Sequence, residues 1–384
     1  MNLRSLFATL YSIYLSVLGV LFKWIKPGNR VTLLVSFEEN AQAVIRSYKT
    51  HAASLSYDVT VLYTRHAVSL KNELSGIPSF YLNEKNPLHL WKAVSLLFKS
   101  KFVITDNYFL LTSVLNGRPQ TKCIQVWHAN GSLKKFGLED VTNQGRTQSD
   151  IKRFKKVYSS FDFVTAGSDA MTDIFKKSFG IQDSQVLKTG VPLTDVYYDE
   201  SQHALQHEWQ KKIILYAPTF RDYDMQSVRL PFTEEQLAGP LNGEYVLLVK
   251  LHPAVQHHIT IPSENEYIKN VSDLNLHGLL KAADILITDY SSVPFEFAIL
   301  NKPILFFTYD LEEYDRKRGL IDHYETVIPG KACRDSESLL EAIIKGSYNL
   351  KEIKQFSDTW NKYSEGNSSE KLLTFVEKQI KKSD

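Results

Sequence analysis

Four short segments carry side chains that could hold and transfer a phosphate group. Each follows an apolar, strand-like run. The first is QVWHANGSLKKFG, where His128 ends the run and is followed by Asn130, Gly131, Ser132, Lys134 and Lys135. A histidine titrates near neutral pH and can take a proton from a hydroxyl nucleophile. The glycine admits close backbone approach, and the lysines can counter phosphate charge. The second is YAPTFRD, with a hydroxyl at Thr219 and a planar cation at Arg221; a guanidinium matches phosphate oxygens in pairs. The third is LVKLHP, where Pro253 fixes the chain just after His252. The fourth is ITDYSSVPFEF, with Asp289, Ser291, Ser292 and Glu296. It reads as strand, turn and helix start, where hydroxyls and free amides favour an anion. Glu296 could accept a hydroxyl from a ribose, and Asp289 could orient the turn or lie near the reacting group. The same residue types also suit capped helices, surface loops and structural histidines.

Metal chemistry is weakly supported. Asp222-Tyr223-Asp224 spells D-x-D, a short and common pattern, and His257 and His258 have no matching third ligand nearby. The expected site holds no metal and needs no cofactor. Cys123 and Cys333 are the only cysteines, which excludes a disulfide framework or a cysteine-rich zinc site and fits a reducing compartment.

The elements that must position these residues alternate. Apolar runs of strand length occur at Val31–Phe37, Val59–Tyr63, Lys101–Asp106, Cys123–Trp127, Asp162–Ala166 and Val186–Thr189. A second set begins at Lys212 with KIILYAP and continues through YVLLVKLHP, DILITDYSS and PILFF. Helix-like stretches separate them, around Ala41–Ala53 and His89–Lys99 for example. Such runs read as buried parallel strands in βα repeats. Two sets imply an α/β protein of two doubly wound, Rossmann-like domains facing a cleft, the GT-B-type glycosyltransferase architecture. The expected division is a membrane-associating helix at 1–30 and two Rossmann-like domains at 31–200 and 201–384. Pro192 and the polar stretch Asp199–Gln210 mark the boundary. Ligands of such sheets sit at the carboxyl ends of the strands, where all four segments fall. The chain has 384 residues, 43% hydrophobic and 23% charged, with a net charge of +2. That composition excludes a disordered or coiled-coil chain, and no global basic field points to nucleic acid.

Ser5 to Phe22 carries no charge, and Trp24 and three cations follow it. The stretch reaches the lower end of a membrane span, ~17–25 residues. An interfacial or membrane-inserted helix is expected, with span and in-plane placement both open, and a core helix is the competing reading. Ile151–Tyr158 places Lys152, Arg153, Lys155 and Lys156 beside Phe154 and Tyr158, a surface that anionic lipid could attract.

In order along the chain, QVWH…LKKFG, GVPLTD, YAPTFRD, LVKLHP and ITDYSSVPFEFAILNKPILFF resemble the CDP-glycerol glycerophosphotransferase family of wall teichoic acid synthesis. The resemblance covers roughly Leu33 to Leu320. It implies a CDP-glycerol donor, a lipid-linked acceptor and an enzyme at the cytoplasmic face of the bacterial cell membrane, peripheral or monotopic. The chain's length and hydrophobic N-terminal helix favour a primase, which adds one glycerol phosphate to an undecaprenyl-diphosphate-linked disaccharide and releases CMP. A poly(glycerophosphate) polymerase, a CDP-ribitol-using relative and a sugar-nucleotide glycosyltransferase of the same fold are the alternatives. On this reading His128 and His252 are catalytic. Asn130, Lys134, Thr219, Arg221, Asp289, Ser291, Ser292 and Glu296 bind substrate. Ala129, where members usually carry glycine, and one extra loop residue lie next to His128 and bear on acceptor choice. Oligomeric state is left open.

Overall fold

A computed structural model describes residues 3–199, 209–221, 223, 229–252, 255 and 265–383. The first half contains α1 (Leu3–Phe22), β1 (Gly28–Val35), α2 (Glu38–His51), β2 (Asp58–Tyr63), β3 (Ser79–Tyr81), α3 (Pro87–Phe98), β4 (Ser100–Thr105), β5 (Lys122–Gln125), α4 (Gln148–Tyr158), β6 (Phe163–Thr165), α5 (Asp169–Phe179) and β7 (Val186–Leu187). The second half contains β8 (Lys212–Tyr216), α6 (Glu234–Ala238), β9 (Tyr245–Val249), β10 (Ile268–Asn270), α7 (Leu276–Ala282), β11 (Ile285–Thr288), α8 (Val293–Phe297), β12 (Ile304–Phe307), α9 (Leu311–Arg318), α10 (Tyr324–Val327), β13 (Ala332–Cys333) and α11 (Ser336–Ile344). Helices α12 (Leu350–Trp360) and α13 (Ser368–Ser383) end the chain.

The two sheets are the expected doubly wound pair. The first has the order β3-β2-β1-β4-β5-β6-β7 and the second β10-β9-β8-β11-β12-β13. Their strands pair in parallel, with Val31 opposite Val59 and Leu286 opposite Ile304 as representative registers. Strand side chains alternate between two buried layers, which is why the runs read as continuously apolar. Leu34, Leu62, Val103 and Cys123 face the layer that holds α1 and α3. Val31, Leu33, Val61 and Ile104 face the layer that holds α2 and α13. Strand order reverses between β1 and β4 and between β8 and β11, the places where such sheets open a ligand crevice.

The chain's end departs from the expected division at 201–384. Helix α13 buries Leu372, Leu373, Val376 and Ile380 against the first sheet and α2. Two helices, α12 and α13, make the return, and the break between them lets the chain cross back. The sequence pattern also missed β3, β10 and β13, short strands of two or three residues. The expected linker lies in part outside the described residues.

Helix α1 has one packed and one open face. Leu15 and Leu18 are buried. The Tyr11 hydroxyl donates to Glu84 (2.7 Å) and that of Tyr14 to the Pro87 carbonyl (3.0 Å). Phe7, Leu10, Ile13, Val17, Val20 and Trp24 are exposed, as are Leu88 and Trp91 on the adjoining α3. Spacings of three and four place Phe7, Leu10, Ile13, Val17 and Val20 on one stripe of α1, and Trp24 follows in the turn after it. Among the described residues, no helix is long and apolar enough to cross a membrane.

Candidate active site

The loops after β1, β4, β5, β8, β9 and β11 meet around a cavity of about 650 Å³. His128, Lys134, Thr219, His252, Ser291 and Ser292 all line it. The two histidines come from opposite sheets and address one space.

His128 is held by its backbone surroundings. Its Nδ1 lies 2.9 Å from the Asp106 carbonyl. A carbonyl only accepts, so Nδ1 carries the proton and Nε2 keeps the lone pair. Burial pushes the imidazole down to about 4, so the ring is neutral near pH 7. The Asp106 carboxylate accepts from the Ser36 and Phe37 amides at 2.8–3.0 Å, which fixes the strand ends on either side of the switch point. Trp127, just before His128, has a left-handed backbone, φ 59°. Its ring is packed by Tyr108 (5.0 Å), Phe136 (4.9 Å) and Phe179 (5.3 Å).

The loop beyond His128 crosses to the other half. Lys135 N–H donates to the Gly319 carbonyl (3.0 Å), and Ile321 N–H to that of Leu133 (3.1 Å). Lys135 also pairs with Asp322 at 2.9 Å. Gly131 is required for this docking, because a Cβ there would lie 2.4 Å from the Phe295 ring. Lys134 is thereby brought to the cavity beside Arg318. Burial pushes its ammonium down to about 8; Asp289 opposes that shift, and Arg318 and Arg221 add to it.

The second wall rests on a buried ion network. Arg221 is fully buried. Its Nε and Nη2 donate to Asp310 at 3.0 and 2.9 Å, and its Nη1 donates to Asp289 at 2.5 Å. Asp289 in turn accepts from the Thr219 and Tyr290 amides at 2.8 and 2.6 Å. Thr219 Oγ1 is buried without a hydrogen-bond partner, a hydroxyl ready for a ligand oxygen. Ser291 Oγ lies 2.8 Å from Thr288 Oγ1. His252 is exposed and stacks on Phe220, with ring centroids 5.1 Å apart and planes at 11°. Partial burial, and then Lys250, lowers its pKa.

Four expected contacts with substrate are therefore corrected. Arg221 and Asp289 neutralise each other beneath the wall instead of lining the cavity, since two carboxylates occupy the guanidinium. Asn130 is fully buried; its side chain bonds to Asn361, and its N–H donates to Glu296 at 3.3 Å. Glu296 is likewise buried at this seam, and desolvation pushes its carboxyl up to about 8. Neither lines the cavity. Arg318, Phe37, Tyr108 and Tyr314 do line it and were missed. Asp106 was missed too, although it follows the KFVIT strand and the strand-end rule would have found it. Arg318 offered no such signal, because it closes the charged helix LEEYDRKR. Asp222, Asp224, Pro253, His257 and His258 lie outside the described residues. Among the described residues, no cluster of acidic, histidine or cysteine side chains could hold a metal ion. A second cavity of about 700 Å³, between α2 and α7, contains none of the strand-end residues.

The profile of the CDP-glycerol:poly(glycerophosphate) glycerophosphotransferase family matches residues 20–378. The chain belongs to this family. Its relatives include the teichoic acid glycerol-phosphate primase of Bacillus subtilis (strain 168), 60% identical over 99% of this chain and 100% of that one. The Staphylococcus aureus (strain NCTC 8325 / PS 47) teichoic acid glycerol-phosphate primase is 29% identical over 96% of this chain and 98% of that one. Among solved structures, the wall teichoic acid polymerase TagF superposes with a TM-score of 0.79 at 22% identity, covering 100% of this chain and 99% of that one. A UDP-N-acetylglucosamine 2-epimerase from Listeria monocytogenes reaches 0.62 at 13% identity, over 93% of this chain and 98% of its own. These two likenesses establish a GT-B-like fold. As a member of the glycerophosphotransferase family, the chain is a transferase.

Proposed function

We propose that this transferase moves glycerol phosphate from CDP-glycerol to an undecaprenyl-diphosphate-linked disaccharide, adding a single unit and releasing CMP in wall teichoic acid synthesis. The whole-length likeness to primases supports the choice of product. The carrying observation is the shared cavity, where a neutral His128 faces His252, Lys134 and the Ser291–Ser292 turn.

The chemistry follows from those groups. An acceptor hydroxyl attacks the phosphorus that bears glycerol. Its proton goes to His128 Nε2, a new O–P bond forms, and the P–O bond to CMP breaks. Lys134, Arg318 and His252 offset the charge that gathers on the phosphate oxygens and on departing CMP. Positioning and electrostatics supply the rate, and no covalent enzyme intermediate is needed.

The acceptor is fixed in a bilayer, so the enzyme must come to it. We place the chain at the cytoplasmic face of the bacterial membrane as a peripheral or monotopic protein. The exposed stripe of α1, with Leu88 and Trp91, is the apolar surface that supports this placement. Lys152, Lys155 and Lys156 are exposed on α4 and suit anionic headgroups.

The test is product analysis with CDP-glycerol and a lipid-linked disaccharide. One added unit per acceptor with equimolar CMP is expected. A product ladder would make the enzyme a polymerase, dependence on CDP-ribitol would change the donor, and cleavage of UDP-sugars would make it a glycosyltransferase.

A further inference from the structure

Trp127 is held in a conformation that a bulky residue adopts only under constraint. A non-glycine residue in the left-handed region costs roughly 1–3 kcal/mol and persists where its surroundings over-determine it. Three groups do so here. The aromatic cage fixes the ring. The Trp127 N–H donates to Gln125 Oε1 at 2.8 Å. The Trp127 carbonyl accepts from Asn40 Nδ2, also at 2.8 Å.

Asn40 is the unexpected member. It lies in the first turn of α2 and is buried at 2% exposure. Its other end, Oδ1, accepts the Leu193 N–H at 2.8 Å. That contact fixes which way the amide points, since only the oxygen can accept. One side chain thus ties the His128 turn to α2 and to the segment Pro192–Tyr197 that leads out of the first sheet. His128 follows Trp127 directly, so the direction of this peptide sets where the imidazole sits relative to the Asp106 carbonyl.

We propose that Asn40 is a positioning residue for His128. It clamps the Trp127 carbonyl so that the imidazole keeps its Nδ1 on Asp106 and presents Nε2 to the acceptor hydroxyl. Asn40 does not line the cavity and touches no reacting atom. The inference rests on the reading of His128 as the base.

The test uses the full chain with CDP-glycerol and the lipid-linked acceptor. Asn40→Asp keeps the shape and the acceptor for Leu193 and, as a carboxylate, has no donor for Trp127. A small misplacement at a reacting group can cost about 100-fold. Accordingly kcat should fall by about 10–100-fold while KM for CDP-glycerol stays unchanged. Nitrogen NMR of histidine-labelled protein should show that His128 is no longer confined to the Nδ1–H tautomer. Asn40→Ala, measured alongside, removes the donor without adding charge. Wild-type kcat in a folded variant, or a kcat loss with the tautomer intact, would overturn the proposal; so would failure of both variants to fold, which would make Asn40 a structural brace. His128→Ala separates the two readings. If that variant turns over normally, the assignment of the base fails. If it is inactive while both Asn40 variants are unimpaired, only the positioning role fails.

Discussion

The two imidazoles that share the cavity are mounted in opposite ways. His128 has one nitrogen committed to a backbone carbonyl, its ring beside those of Phe37 and Trp127, and a pKa pushed down to about 4 by burial. His252 is exposed, lies flat on Phe220 and feels Lys250 as its charged neighbour. A ring with a fixed tautomer and a free lone pair suits proton abstraction. A ring with more solvent around it suits charge compensation at a phosphate and can change protonation during the cycle. Equal residue types thus take different work from their surroundings, as paired acids and bases do elsewhere.

The walls beneath them differ in the same sense. The first wall is held by peptide hydrogen bonds and an aromatic cage, the second by Arg221 between Asp289 and Asp310. Breaking the ion network should have the largest effect. Arg221→Met leaves the Asp289 and Asp310 carboxylates without their cation, which costs about 3–5 kcal/mol. Urea unfolding should show that loss, and Arg221→Lys should restore only part, because an ammonium cannot bond to both carboxylates in the same fork. If Arg221→Met keeps wild-type stability but loses donor affinity, the arginine belongs to the substrate after all.

Lys134 sharpens the comparison from the cavity side. Its ammonium carries charge below about 8 and loses it above. Donor capture by the free enzyme, read as kcat/KM, should therefore fall as pH rises through about 8. Lys134→Met should raise KM for CDP-glycerol by about 10–100-fold, the worth of a hydrogen bond to a charged group, and should remove that alkaline limb. A limb that survives the substitution assigns it to another group.

The smallest effect concerns the outside of the first wall. Ile13→Lys and Val20→Lys interrupt the apolar stripe of α1. Each should weaken sedimentation with anionic vesicles by about 10–100-fold, on ~1.5–3 kcal/mol per buried side chain, with turnover on a water-soluble acceptor unchanged. Full vesicle binding by the double variant would remove the stripe from membrane contact.

Much of this was legible in the chain. Strand-end histidines, hydroxyls and Lys134 were found because a parallel sheet buries its strands on both faces and delivers polar residues only where a strand stops. The rule could not tell a residue above the wall from one beneath it. Arg221 and Asp289 look like ligands in one dimension; only the fold brings Asp310 against them from β12's exit. Asn130 and Glu296 were misread for the same reason, since the chain's return through α12 puts Asn361 on Asn130, whose N–H in turn holds Glu296. Asn40 carries no periodic or motif signal at all, because its partners, Trp127 and Leu193, are far away in sequence. The short edge strands escaped because two or three residues cannot show alternation.

The most direct test of the account is the single-turnover rate of CMP release by His128→Ala, with CDP-glycerol and the lipid-linked disaccharide both saturating. The account predicts a folded protein that releases CMP about 10²–10⁴-fold more slowly, the span expected for loss of a general base. Release at close to the wild-type rate would show that the proton leaves by another route and would contradict it.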